Sequence, residues 1–156
     1  MEIKVDDLSG GEVIKLLEEH LLDMYKVSPP ESVHALNIDA LKADNITFFS
    51  GWEKGLLMGC VAINKLNAKQ IELKSMRTSR EARKSGVATQ LLQHVIDVCR
   101  GKGVEQIYLE TGSQDYFKPA HSLYEKFGFS DCEPFANYKL DPCCQFMTLM
   151  LKSRNA

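Results

Sequence analysis

The 156-residue chain predicts one mixed domain over 1–156, of α/β (α+β) class, with a mostly antiparallel central sheet. Three observations carry this. Strand-like runs at 46–52, 55–66 and 68–78 follow one another directly, joined by Glu53-Lys54-Gly55 and Asn67-Ala68, the signature of a meander. Helical and strand periodicities alternate elsewhere along the chain. No repeat, low-complexity tract or linker interrupts them, and 17.6 kDa suffices for one hydrophobic core.

The elements follow in order. Residues 2–7 read as a short strand. Ser9-Gly10-Gly11 then break the chain before a helix to about Tyr25, whose apolar positions Val13, Leu16, Leu17, Leu21 and Met24 keep helical spacing. Ser28-Pro29-Pro30-Glu31-Ser32 form a stiff turn, with Ser32 placed to cap a short helix through Leu41. After the meander, a helix from Ser85 to about Lys102 buries Val87, Leu91, Leu92, Val95, Ile96 and Cys99 and ends at Gly101 and Gly103. Residues 105–111 form a strand, and Gly112-Ser113-Gln114-Asp115 a loop. A helix runs from about Pro119 to Phe127, stopped by Gly128. Two further strand candidates, 129–138 and 143–152, are split by Asp141-Pro142. Their Phe135, Phe146, Met147 and Met150 serve either to pair with a second subunit or to close their own sheet.

Composition excludes several function classes. A net charge of −2 and a pI near 6.1 argue against nucleic-acid binding through a global basic field. No apolar run reaches membrane-spanning length. The start, Met1-Glu2-Ile3-Lys4-Val5-Asp6, lacks the basic-then-apolar order of a signal peptide, so a cytoplasmic location is expected. Five cysteines without a C-x-x-C pair suggest reduced, mostly buried thiols and no metal site.

Arg83-Lys84-Ser85-Gly86-Val87-Ala88 lies between a strand and a helix. There, free backbone N–H groups and the positive end of the helix dipole favour an anion, most naturally a phosphate. Gly86 has no Cβ and Ala88 is small, so a pyrophosphate would meet bare backbone. Taken alone, the stretch reads first as an ordinary strand–helix turn with solvated charges.

Downstream, Ala120-His121-Ser122-Leu123-Tyr124-Glu125-Lys126-Phe127-Gly128-Phe129 has the form A-x-x-L-Y-x-x-x-G-F. In this order and spacing the two motifs resemble the GNAT superfamily of N-acetyltransferases. The resemblance implies helices on both faces of the sheet and a splayed strand pair holding acetyl-CoA. It places the backbone of Met76 and Thr78 on the pantetheine arm and the amides of Arg83, Lys84, Ser85, Gly86, Val87 and Ala88 on the pyrophosphate. The bases Lys74, Arg77, Arg80, Arg83 and Lys84 would surround that loop.

It further implies direct acetyl transfer in a ternary complex to a primary amine of a small molecule. A protein amine, or cofactor binding without turnover, are the alternatives. Tyr124 would protonate the departing thiolate, unless it merely closes the core beside Phe127 and Phe129. Glu72 would be the base, unless it is an exposed strand glutamate, and Glu110 is the reserve. Strand alternation puts Glu72 on one face with Lys74 and Met76. Backbone N–H donors near Met76 would stabilise the oxyanion. Phe117 stands where the family often has an asparagine, leaving Ser113 and Gln114 as polar substitutes. Cys99 belongs to the core, His121 to solvent, and Met24, Tyr25 and residues 29–41 to the acceptor side. His20, His34 and His94 have no partner visible in sequence.

Overall fold

Strands β2 (Ile46–Glu53) and β3 (Leu56–Lys65) are apolar on both faces. In the computed structural model, which describes residues 1–34 and 37–151, helices cover both. Phe49, Val61 and Ile63 pack against α3 (Val87–Gly101) and against Tyr124 of α4 (Lys118–Lys126). Their neighbours Phe48, Cys60 and Ala62 pack against α1 (Gly11–Val27) and α2 (Ile38–Leu41). This is period-two alternation meeting a helical stripe on each side. Leu91 and Leu92 of α3 are fully buried, each contributing about 1.5–3 kcal/mol.

The seven strands lie in the order β1-β2-β3-β4-β5-β7-β6, completed by β1 (Glu2–Val5), β4 (Gln70–Thr78), β5 (Gln106–Gly112), β6 (Ser130–Asp131) and β7 (Cys144–Met150). All neighbours are antiparallel except β4 and β5. That parallel pair runs from Gln70↔Gln106 to Leu73↔Leu109 and stops there. Lys74 to Thr78 and Glu110 to Gly112 therefore diverge, which is the expected splay.

A β-bulge shapes the divergent half of β4. Ala62 opposes Lys74 and Cys60 opposes Arg77, so Val61 faces both Ser75 and Met76, with Ser75 at φ 54°. Strand alternation thus fails at this point. Glu72 and Lys74 do share a face, but Met76 packs with Ile71 and Leu73 against the α3 core. Arg77 turns instead towards α1.

Gly59 sets how closely α3 approaches the sheet. A Cβ there would stand 2.7 Å from the Arg77 carbonyl oxygen, 3.0 Å from Leu91 and 3.1 Å from Val87. Gly59→Ala is expected to destabilise the fold by about 1–3 kcal/mol and to loosen the start of α3. A urea midpoint within error of wild type would show that the approach relaxes freely.

Two expectations need correction, and one open alternative is narrowed. Ser32 caps no helix: residues Pro30–Ser32 form a 3₁₀ turn, and Asn37 caps α2 by accepting from the Ala40 N–H at 2.8 Å. Residues 35–36 lie outside the described residues. The 129–138 strand contracts to β6, because Pro134 supplies no ladder N–H and Ala136 adopts φ 51°. β7 lies between β5 and β6, so the C-terminal apolar residues Phe146 and Met147 close their own sheet.

Candidate active site

The splay opens a cleft of about 380 Å³ between β4 and β5, bounded by the end of α1, the 28–34 segment and α4. Met76, Thr78, Arg83, Ala88, Glu110, Phe117 and Tyr124 line it, with Lys74 and Arg77 of the basic cluster and His20, Met24, Ser32 and His34. Because the strands part at Leu73 and Leu109, β4 backbone groups beyond that point have no β5 partner. An extended amide chain such as a pantetheine arm matches them.

At one end stands the turn before α3. Gly86 precedes the helix at φ 83°, and no side chain caps it. Lys84 is also left-handed at φ 65°, a backbone conformation that recurs in anion-binding turns. Arg83 and Lys84 are exposed at its rim. Ser85 donates its hydroxyl to the Ala82 carbonyl, and the Val87 side chain is buried in the core. Val87 therefore offers a ligand only backbone, while the Ser85 N–H itself points back to the Ala82 carbonyl at 3.3 Å. The wider basic cluster does not form: the bulge sends Arg77 to Asp23 (2.6 Å), Arg80 reaches the same carboxylate (3.2 Å), and Lys74 turns to Glu72.

At the other end Glu110 and Tyr124 come together. Burial pushes the Glu110 carboxyl up to about 7, against the pull of Lys74 and a hydrogen bond with Cys144. Tyr124 is buried beside Phe129, ring centroids 5.6 Å apart. Burial, and then the Glu110 charge, hold its phenol above the ordinary value of 10.0. Its hydroxyl makes no hydrogen bond to the described residues of the protein. His121 is not a solvated residue, since its Nε2 lies 2.7 Å from the Gly112 carbonyl oxygen and ties α4 to the end of β5.

Glu72 is neither exposed nor part of the cleft wall. It is 3 % exposed, accepting from Tyr138 Oη, Asn64 Nδ2 (3.1 Å) and Lys74 Nζ (3.4 Å). Lys74 also donates to Tyr138 Oη (2.7 Å) and the His34 carbonyl (3.2 Å). This network joins β4 to Tyr138 and to the 28–34 segment that bounds the cleft. Ser32 reinforces it, donating to Asp141 at 2.6 Å while its carbonyl faces the Cys144 thiol at 3.6 Å.

His34, Asp141 and Cys144 bring potential ligand atoms within 4.8 Å of one another. Asp141 already accepts from Ser32 and from the Cys143 N–H (2.8 Å). Burial, then Glu110 and Asp141, push the Cys144 thiol up to about 12. Asp141 and Cys144 thus already have partners within the protein, and of the trio His34 alone lines the cleft. Cys99 sits in the core, its thiol raised to about 11 by burial. Ser113 donates to the Pro142 carbonyl (2.6 Å) and Gln114 to Ser28 Oγ (3.2 Å), so both brace loops, and neither lines the cleft. Sequence reasoning missed Asp23, His20 and Tyr138, and ranked Glu110 behind Glu72. No local signal marks the first three, whereas Glu110 was legible as an acid on the splayed strand.

Residues 13–129 match the family model described as Acetyltransferase (GNAT) family. The chain belongs to the GNAT family. It is 50 % identical over 151 residues to "Uncharacterized N-acetyltransferase YsnE" of Bacillus subtilis (strain 168), covering 97 % of this chain and 100 % of that one. It is 34 % identical to "IAA acetyltransferase" of Azospirillum brasilense, covering 86 % and 88 %. A Bacillus subtilis acetyltransferase solved in complex with CoA shares the fold, with TM-score 0.72 and 20 % identity over 97 % and 99 % of the two chains. This GNAT protein is thus an acetyl-CoA-dependent N-acetyltransferase, and none of its described helices is long and apolar enough to cross a membrane.

Proposed function

We propose that the enzyme acetylates a primary amine of a small molecule by direct attack in a ternary complex. One observation carries this: Glu110 and Tyr124, a near-neutral carboxyl and a buried phenol, meet in the cleft where β4 and β5 part. Glu110, rather than Glu72, takes the amine proton as nitrogen attacks the thioester carbonyl. The C–N bond forms, the oxyanion rests on N–H groups near Met76, and the C–S bond breaks. Tyr124 protonates the departing thiolate. Protonation of Glu110 removes the negative charge that holds the Tyr124 proton, so the first transfer eases the second. Met76 and Thr78 bind the pantetheine arm through backbone groups. The amides from Arg83 to Ala88 take the pyrophosphate.

The acceptor side supports a metabolite over a peptide. Ser28, Ser32, Val33 and His34 line the cleft, and Ser32 is tied to Asp141 across it. Met24 joins them, while Tyr25 is 53 % exposed and stands outside. The test follows CoA thiol release with amino acids, amino sugars, polyamines, aryl amines and lysine peptides, comparing wild type with Tyr124→Phe. Release should require a small amine and fall about a hundredfold in the variant. Lysine peptides as the sole acceptors would make it a protein acetyltransferase. CoA binding with no acceptor at all would leave a binding module.

A further inference from the structure

Among the described residues, four buried side-chain atoms lack a hydrogen-bond partner: His20 Nδ1, Ser75 Oγ, Arg77 Nε and Gln114 Oε1. The first three belong to residues lining the cleft, on α1 and on β4 beside the bulge. A buried polar group left unpaired is costly, so orphans gathered on a cleft wall mark groups whose partner arrives with a ligand.

Their chemistry defines that ligand. Arg77 Nε–H only donates, the Ser75 hydroxyl donates, and Nδ1 of His20 serves either way. Burial, then the Arg77 charge, push His20 down to about 4, so it brings no positive charge of its own. The charge comes from arginine. One carboxylate, Asp23, faces two guanidiniums, Arg77 at 2.6 Å and Arg80 at 3.2 Å, while the adjacent Glu72 and Lys74 cancel. Lys26, 3.9 Å from the same carboxylate, is a third cation, so positive charge is left over, and the Arg77 side chain is 4 % exposed, so water screens it little. Donor-rich, buried and net positive, this corner complements a carboxylate.

We propose that the acceptor carries a carboxylate that docks on Arg77 Nε and Ser75 Oγ, making the substrates amino carboxylates. Met24, Val33 and Tyr116 give the rest of the molecule an apolar wall. The product is the N-acetyl amino carboxylate, formed with the same proton movements through Glu110 and Tyr124. The substrate class rests on the acetyl-transfer reading above; the anion corner does not.

The experiment therefore reads binding as well as turnover. N-acetyl amino acids with apolar side chains, and their carboxamides, are titrated calorimetrically into the CoA-loaded protein. The acids should bind about tenfold or more tightly than the amides, and Ser75→Ala should erase most of the difference. Ser75 Oγ has no partner to lose, so this variant keeps its fold; Arg77→Met, checked by its circular dichroism, should erase the difference altogether. Equal affinity for acids and amides, or no binding of either, overturns the proposal. In turnover, amino-acid amides acetylated as well as the free acids would also overturn it while leaving acetyl transfer intact. Selective binding of the acids with no amine acetylated would retain the anion corner and remove the transferase reading.

Discussion

Glu110→Gln should lower kcat/KM by about 10²–10⁴-fold, the range typical for loss of a general base, with the acetyl-CoA melting shift preserved. The isosteric amide keeps the size of the side chain on β5 and removes only its ability to take a proton. The pH profile supplies the sharper readout. Burial raises the Glu110 carboxyl to about 7, and the active form is the ionised one, so the wild-type rate should rise with pH around that value. About a tenth of the enzyme is competent at pH 6 and about nine-tenths at pH 8. A weakly basic amine, neutral throughout this window, keeps acceptor ionisation out of the profile. The variant should lose the limb. A residual rate above about a tenth of wild type with the limb intact would pass the proton to a water chain instead.

Asp23→Ala should cost about 3–5 kcal/mol of stability, the range for breaking a buried ion pair by deleting one partner. Asp23 bridges Arg77 at 2.6 Å and Arg80 at 3.2 Å. Its removal strands two guanidiniums side by side, one of them nearly inaccessible to water. Burial pushes the Asp23 carboxyl up, but the hydrogen bond and charge of Arg77, with Arg80, outweigh this and hold it below the ordinary 3.8. A depressed acid stabilises the fold above its ordinary value and loses that contribution as pH falls through the folded one. The gap between wild type and variant, measured by urea unfolding, should therefore be full at pH 7 and shrink below 3.8. A difference under about 1 kcal/mol at pH 7 would place the pair among exposed surface bridges.

The legible part of the site is its local part. Gly86, without a side chain and at φ 83°, and the capless start of α3 are properties of a few consecutive residues, and the motif displays them. Tyr124 is legible for the same reason: one helical turn and the Gly128 stop define where it points. Glu72 shows the opposite. Alternation along β4 put it on one face with Met76, as a base or an exposed glutamate, but its burial depends on Tyr138, 66 residues away, folding back over it. The face of Met76 depends on a bulge that one residue, Ser75, absorbs. Ser75 has no feature in sequence that distinguishes a bulge from regular strand, because the extra residue exists only relative to β3.

The sequence by itself determined the element order, the helix stripes, the meander, the glycine turn that opens α3 and the family. Each rests on periodicity or turn chemistry within windows of a few residues, where backbone sterics and local burial decide the outcome. Tertiary structure decided which acid faces the cleft, which bases leave the phosphate loop, and where unpaired donors gather. Asp23 and Arg77 are 54 residues apart, and Glu110 becomes a near-neutral acid only because the folded chain buries it more strongly than Lys74 and Cys144 pull its carboxyl down. Desolvation and charge pairing act through space, so they have no sequence window in which to be read.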